Sequence, residues 1–577
     1  MSKPSSDTSP ETSMPAVDTA PSVRETKSVE LKDSQSTISV ANQPDIKVPK
    51  ATISESIEDD SHKPTLARLI AIMVSLSMAS FLAGLDTSIL GSALPAISNS
   101  FDGLSQVAWI SAAYILTFTS LQPIVSKVSE IFGRLPVLIA SLLVFCAGSA
   151  VCGAASSVTM LIGGRAMAGV GGCGLVTMVQ VIIIDVLPLR ERGIYMSFTN
   201  LASTAAVAAG PLMGGAITDH WVWRWCFYLN IPICAVIIVV ALISVRTTPV
   251  TGTAKEKLER VDFPGAFLLL AGLVLLILGL NWGGKDYSWS SPAVISTLVL
   301  GLVLLIAFIG VEKWVAKEPI IHFRLFTSRD TLPILIAQFF LGIGIIFTTF
   351  YMPIYFTVVR GTTSTIAGLY ILPYLVGMLA TGLVMGQVIA RFNMYRPFIW
   401  VGLAGMTTIA GLFSLITSTT SIAVVLVLMG AFGIFSGMGL MPLMIAIQAA
   451  CLPKDAGMAA TLALFLRNIG QIVGIAINGS VLNNQLVKHL GSIAGEYPEY
   501  ADTIRSALNN GALAWSDGLP ELAKVAIREA YAKSLKATYA ANAPFVGIAF
   551  LLCLLIKHKS LGARAKSFRK KNKVSPA

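Results

Sequence analysis

The sequence predicts an all-α membrane protein with about fourteen transmembrane helices, and three observations carry that reading. Of the 577 residues, 54% are hydrophobic and only 13% charged, with a mean hydropathy of +0.73; a soluble domain carries about a quarter charged residues. A soluble core of this size would still need charge over its surface, so one large soluble fold is excluded. From Leu66 onward, apolar runs of about twenty residues recur, each long enough at about 1.5 Å per residue to cross a hydrocarbon core of roughly 30 Å. Finally, Lys and Arg alternate between crowded and sparse connections along these runs.

The runs fall near 68–95, 106–126, 136–156, 159–184, 196–217, 227–245, 263–283, 292–314, 332–357, 366–389, 397–417, 421–447, 457–482 and 538–557. With the N-terminus inside, the inner connections hold Lys127, Arg134, Arg190, Arg192, Arg246, Lys255, Lys257, Arg260, Lys313, Lys317, Arg324, Arg329, Arg391, Arg396 and Lys454. The short outer connections hold only Arg224, Lys285 and Arg360. Basic residues accumulate on the cytoplasmic side, and an odd number of spans would break the alternation or place the basic C-terminus outside. Both termini are therefore expected in the cytoplasm.

Before the first span, residues 1–64 are rich in Ser, Thr, Pro and charge with no apolar period, which predicts a disordered cytoplasmic tail with no signal-peptide core. After the last span, residues 558–577 form a basic cytoplasmic tail. The stretch from Lys557 carries eight Lys and Arg and no acid, which accounts for most of the net charge of +11. Its place after a span points to the anionic inner leaflet or to topology alone, not to nucleic acid. Segment 483–537 reads as a long outer loop, a spacer rather than a lid, with an amphipathic stretch around Glu521 to Lys536. The seven cysteines have no paired spacing or nearby His cluster, so neither a disulfide framework nor a metal site is expected.

Along the spans, several residues bear on chemistry. Asp86 is the one carboxylate well inside the first span, where desolvation favours its neutral form and makes it a candidate proton carrier; the alternative is a structural hydrogen-bond acceptor at a helix break. After the second span, Glu130, Gly133 and Arg134 make a tight charged turn. In the fourth, Arg165 is costly in hydrocarbon unless it faces a cavity or a partner, and the glycines around it let neighbouring helices approach. Gly169, Gly171 and Gly174 also satisfy a dinucleotide spacing, but no strand precedes them and nucleotide binding is rejected. No Walker A sequence occurs, which argues against a primary pump. In the fifth span Gly210, Pro211, Gly214 and Gly215 combine a lost backbone donor with tight packing. Arg467, in the thirteenth, is either a binding-site charge or one member of a buried pair. Asn478-Gly479-Ser480 fits a glycosylation sequon but lies within a span.

On these residues the chain resembles the major facilitator superfamily, and within it the drug:proton antiporter group with fourteen spans. Leu85-Asp86-Thr87-Ser88-Ile89 with Ala93-Leu94-Pro95 is similar to the group's L-D-x-T-I…A-L-P element. Ser126 to Pro136 resembles G-x-L-x-D-R-x-G-R-K, keeping Gly133 and Arg134, with Glu130 in place of Asp and departures at Ser126 and Leu135. Arg165 and Gly169 match R-x-x-Q-G, with Ala168 where Gln is usual, and Gly210 to Gly215 is similar to the antiporter motif G-P-x-x-G-G. Asp185 with Arg190 and Arg192, the run Trp223 to Pro232, and Arg467 with Gly470 and Gly474 extend the resemblance over about 66–560. The Trp-rich run also reads as an interfacial aromatic belt.

The resemblance implies the major facilitator fold: a six-helix bundle over 65–247, a linker with two extra transmembrane helices over 248–331, and a second six-helix bundle over 332–557. A faint repeat agrees, since Val128, Phe132 and Pro136 find Val388, Phe392 and Pro397 with one residue inserted. It further implies a proton-coupled efflux transporter, not an enzyme and with no cofactor, that exports a small molecule such as a toxin, secondary metabolite or drug. Asp86 and Arg165 would couple to protons, and the Glu130–Arg134 and Gly210–Gly215 elements would gate. Tyr114, Phe350, Tyr351, Tyr355, Tyr370, Met438 and Arg467 are candidates for an adaptable cavity. The expected setting is a monomer in the lipid bilayer of the plasma membrane, with the vacuolar membrane as alternative. Proton-coupled uptake, for example of an iron chelate, and a non-transporting receptor or sensor stand as rival readings.

Overall fold

The structure, a computed structural model, describes residues 65–101, 107–245, 252–284, 287–508, 511–515 and 519–557. The expected tails, 1–64 and 558–577, lie outside the described residues. Among these, thirteen helices are long and apolar enough to cross a membrane. The remaining expected span, 106–126, is a helix in two pieces, α2 (Val107–Ser120) and α3 (Gln122–Phe132), following α1 (Leu66–Ser100). Pro123 lies in the first turn of α3, where it has no N–H to offer the preceding turn, and this interrupts the helix.

The N-terminal part continues with α4 (Arg134–Gly153), α5 (Val158–Val186), α6 (Leu189–His220) and α7 (Asn230–Ser244). Next come α8 (Phe263–Trp282) and α9 (Pro292–Trp314), then α10 (Leu332–Phe350), α11 (Leu372–Phe392), α12 (Arg396–Phe413), α13 (Ile422–Ala450), α14 (Ala456–Glu496) and α15 (Glu521–Leu554). Helix starts follow local chemistry: the Ser157 hydroxyl accepts from the Met160 N–H at 3.1 Å, and the Asp262 carboxylate from the Gly265 N–H at 3.0 Å.

Packing separates the helices into groups. α1 lies along α6 and α7, and α5 along α2 and α4; α11 and α12 flank α13, while α10, α14 and α15 pack on one another. α8 and α9 pair together and touch α2 and α14. The first and second groups meet where α6 crosses α11 and where α3 and α5 meet α14. α5 is the most enclosed span, buried along most of its length.

The expected outer loop 483–537 is largely helical: α14 runs to Glu496 and α15 begins at Glu521. Hydropathy falls after Val487, but the Ala, Leu, Lys and Glu content of these extensions suits a helix continuing into water. Asn478 of the sequon is wholly buried in α14, which leaves its side chain inaccessible to a glycan.

The alternation of basic connections gives a direct expectation. Tags at either terminus should be protected in intact cells, whereas a tag inserted at the exposed Glu499 should be labelled without permeabilisation. Surface labelling of the C-terminal tag would overturn the fourteen-span topology.

Candidate functional site

Asp86 on α1 and Arg165 on α5 form an ion pair in the interior, Arg165 Nη1 to Asp86 Oδ2 at 2.7 Å, with side chains 0% and 1% exposed. The second carboxylate oxygen is also engaged: Asn230 Nδ2, at the start of α7, donates to Asp86 Oδ1 at 3.1 Å and to Ser149 Oγ at 3.2 Å. The guanidinium lies 4.4 Å from the Tyr114 ring centroid and 5.9 Å from that of Phe227. Among the described residues, Arg165 Nε and the Tyr114 hydroxyl have no hydrogen-bond partner. A buried pair of this kind is held by its mutual neutrality, so removing the charge of either member disturbs the other strongly.

The glycines of α5 make room for this cluster. A Cβ at Gly172 would stand 2.4 Å from the Tyr114 hydroxyl oxygen, so a larger residue would displace the ring from beneath Arg165. Ala168, where the resembled motif has Gln, is wholly buried and has no polar side-chain atom; Asn230 and Ser149 provide the polar contacts instead.

The Gly210–Gly215 element joins this cluster to the rest of the molecule. A Cβ at Gly210 would lie 1.9 Å from Ser88 Oγ, and one at Gly214 would lie 2.7 Å from the Ile89 carbonyl oxygen, so α6 presses on α1 within a turn of Asp86. Gly215, by contrast, faces open space. Pro211 lies inside α6 and removes one helical hydrogen bond there. At its other end the same helix meets α11: Ser197 Oγ donates to the Gly382 carbonyl at 3.0 Å, and a Cβ on Gly386 would stand 2.8 Å from the Gly193 carbonyl oxygen.

From the inner ends to mid-depth, polar contacts tie the two helix groups together. Asn468 Nδ2 donates to Gln122 Oε1 at 3.1 Å, Thr461 Oγ1 to Ser126 Oγ at 3.2 Å, and Arg192 Nη1 to Gln448 Oε1 at 3.3 Å. Arg190 also donates to the Ala390 carbonyl. Gly133 turns the chain between α3 and α4 at φ 99°, a conformation that favours glycine. Arg134 then reaches Asp185 Oδ2 at 2.8 Å and Ser129 Oγ at 2.6 Å. Glu130 pairs with Lys127 at 3.6 Å, not with Arg134. Lys127 continues to Glu318 at 3.4 Å, and Arg260 binds the same carboxylate at 2.7 Å, which links the α8–α9 pair to this turn. Burial alone would raise the Glu318 carboxyl, but the Arg260 hydrogen bond and the Lys127 charge outweigh it and hold it below its usual range.

The seven cavity candidates do not gather in one place. Tyr114 belongs beneath Arg165. The Tyr351 hydroxyl donates to the Ile475 carbonyl and that of Tyr355 to the Thr417 carbonyl, so both brace the second helix group. Tyr370 packs edge-on to Phe356, Met438 lies where α12 meets α13, and Phe350 is 53% exposed. Arg467 is partly exposed on α14. Asn230 escaped selection as a site residue, although a lone Asn entering an apolar run was its signal. Ser149, Glu318 and Gln448 gave none, because their partners are remote in sequence. In the Trp-rich run, Trp225 is exposed, as is Trp221 just before it, which an interfacial belt requires, whereas Trp223 is buried and donates to Ser100 Oγ at 3.0 Å.

Comparisons with known proteins agree with this architecture. The profile of the family described as Major Facilitator Superfamily matches residues 76–475. An efflux pump named FUS6 from Gibberella moniliformis is 31% identical over 527 residues, 89% of this chain and 92% of that protein. The acurin A biosynthesis cluster MFS-type transporter of Aspergillus aculeatus is 33% identical over 505 residues, 85% and 89% of the two chains. Among solved structures, the human organic anion transporter MFSD10 superposes with a TM-score of 0.55 at 15% identity, over 84% of this chain and 99% of that one. The proton:xylose symporter XylE gives 0.53 at 12%, over 86% and 99%. At those identities the likeness is one of fold.

Proposed function

Because this chain belongs to the Major Facilitator Superfamily and is a multi-pass membrane transporter that exports small organic molecules, we propose that it drives export by exchange with protons. The supporting observation is the buried Asp86–Arg165 pair, a titratable carboxylate placed inside a span with a single cation as its counter-charge. Protonation of Asp86 would cancel the pairing and free Arg165, and α6 would carry the change from α1 to the crossing with α11. On this reading the Glu130, Gly133 and Arg134 turn and the Gly210, Pro211, Gly214 and Gly215 element act as gating parts, and the chain rocks a 65–247 bundle against a 332–557 bundle as a monomer. The cross-group bonds near the inner ends support the present form as the one closed toward the cytoplasm.

The cargo we propose is a secondary metabolite or toxin, and the membrane the plasma membrane, in keeping with relatives named efflux pumps and a biosynthesis-cluster transporter. Cells expressing the protein should accumulate less of an exported metabolite than control cells, and a protonophore should erase the difference. Higher accumulation in the expressing cells would favour uptake instead.

A further inference from the structure

Arg467 stands eleven residues into α14, about 16 Å from its inner end at 1.5 Å per residue, and so near the middle of the membrane. Its environment differs from that of Arg165. Among the described residues, no carboxylate lies within salt-bridge distance of Arg467. The backbone beneath it is fixed: α10 approaches so closely that a Cβ on Gly342 would lie 2.1 Å from the Arg467 carbonyl oxygen. The next residue, Asn468, reaches across to Gln122 of α3, so this turn of α14 lies on the face between the two helix groups. The side chain is partly exposed, which leaves room for another group beside it.

A guanidinium held at this depth without an anion is costly, and the cost falls when an incoming group supplies the counter-charge. We propose that Arg467 is a substrate-recognising residue and that the transported molecules carry a carboxylate. The planar fork of Arg matches a carboxylate with two parallel hydrogen bonds, and one cation balances one negative charge, whereas a phosphate dianion would leave charge uncompensated. This assignment rests on the export reading for its setting, but it concerns binding and not coupling.

Purified full-length protein in detergent, titrated with dansylglycine and with dansylglycinamide, isolates the carboxylate. Fluorescence should report tighter binding of dansylglycine, and Arg467→Gln should remove that preference by about tenfold or more, the worth of a charge-assisted hydrogen bond. Arg467→Lys should retain part of the preference, and its retention shows that the site is intact. Binding of dansylglycinamide should change little in either variant. No advantage of the carboxylate over the amide in the wild type, or an advantage that survives Arg467→Gln, overturns the assignment. A protein that binds dansylglycine through Arg467 yet shows no protonophore-sensitive efflux in cells would instead sink the proton-exchange reading and leave this one standing.

Discussion

Asp86→Asn is expected to abolish efflux driven by a pH gradient, and a second substitution separates the reason from simple misfolding. With Asn at position 86 the shape is kept and Asn230 can still donate, but Arg165 is left as an uncompensated buried cation 1% exposed. Breaking a buried pair from one side costs about 3–5 kcal/mol, so the single variant should also be less stable. Asp86→Asn combined with Arg165→Gln makes the cluster neutral again and should recover most of that stability. If Asp86 is a structural acceptor, the double variant should also recover transport. If it carries the proton, transport should stay lost, since no titratable group remains. Arg165→Lys should be milder than Arg165→Ala, because it keeps the charge and loses the planar fork. The readings are melting temperature and efflux from vesicles under an imposed pH gradient, normalised to protein. Normal efflux by the double variant moves the proton role to another carboxylate, with Asp185 next in line.

Much of the fold is legible in the sequence because the bilayer imposes it: a span must be apolar and about twenty residues long, and both properties are local. What escapes is local backbone chemistry working against hydropathy. Pro123 divides the second span while the apolar run continues, and the ends of α14 and α15 stay helical where the run has ended. The faint repeat has a structural basis. Phe132 is followed by Gly133 at φ 99° and Phe392 by Asn393 at φ 56°, so both copies end a helix with a left-handed residue. The two helix groups use a buried Asn differently. Asn230 of α7 reaches the Asp86 carboxylate, whereas Asn542 of α15 donates to the Gly344 carbonyl at 3.0 Å.

The site is legible in its members and not in their pairing. Asp86, Arg134 and Arg165 stand out as charges in or beside apolar runs, and a charge in that position demands a partner. Which partner it finds depends on contacts between helices 50 to 80 residues apart, as in Arg134–Asp185 and Asp86–Arg165. The aromatic candidates fail to gather for the complementary reason: an aromatic residue on an apolar helix has many packing solutions, and a hydroxyl such as that of Tyr351 or Tyr355 is satisfied by the nearest free carbonyl.

The inner crossing of α6 and α11 should be as sensitive as the charge cluster, and Gly386→Val tests it. Its Cβ would stand 2.8 Å from the Gly193 carbonyl oxygen, an approach between backbones that no side-chain rotation relieves. The helices must then separate at this end, which also stretches the Ser197–Gly382 hydrogen bond and the Thr461–Ser126 contact. Interfaces of this sort switch between discrete arrangements, so the wedge should favour the form open toward the cytoplasm and not a partial loosening. Transport requires both forms, and a protein held in one should lose nearly all of its turnover while remaining folded. Thr461→Cys supplies the reporter: Thr461, where α14 meets α3, is 1% exposed, and a cysteine there should react slowly with maleimide added from the cytoplasmic side. In the Gly386→Val background it should react much faster, with melting temperature little changed. Fast transport in the presence of the wedge would show that the α6–α11 crossing does not open during the cycle.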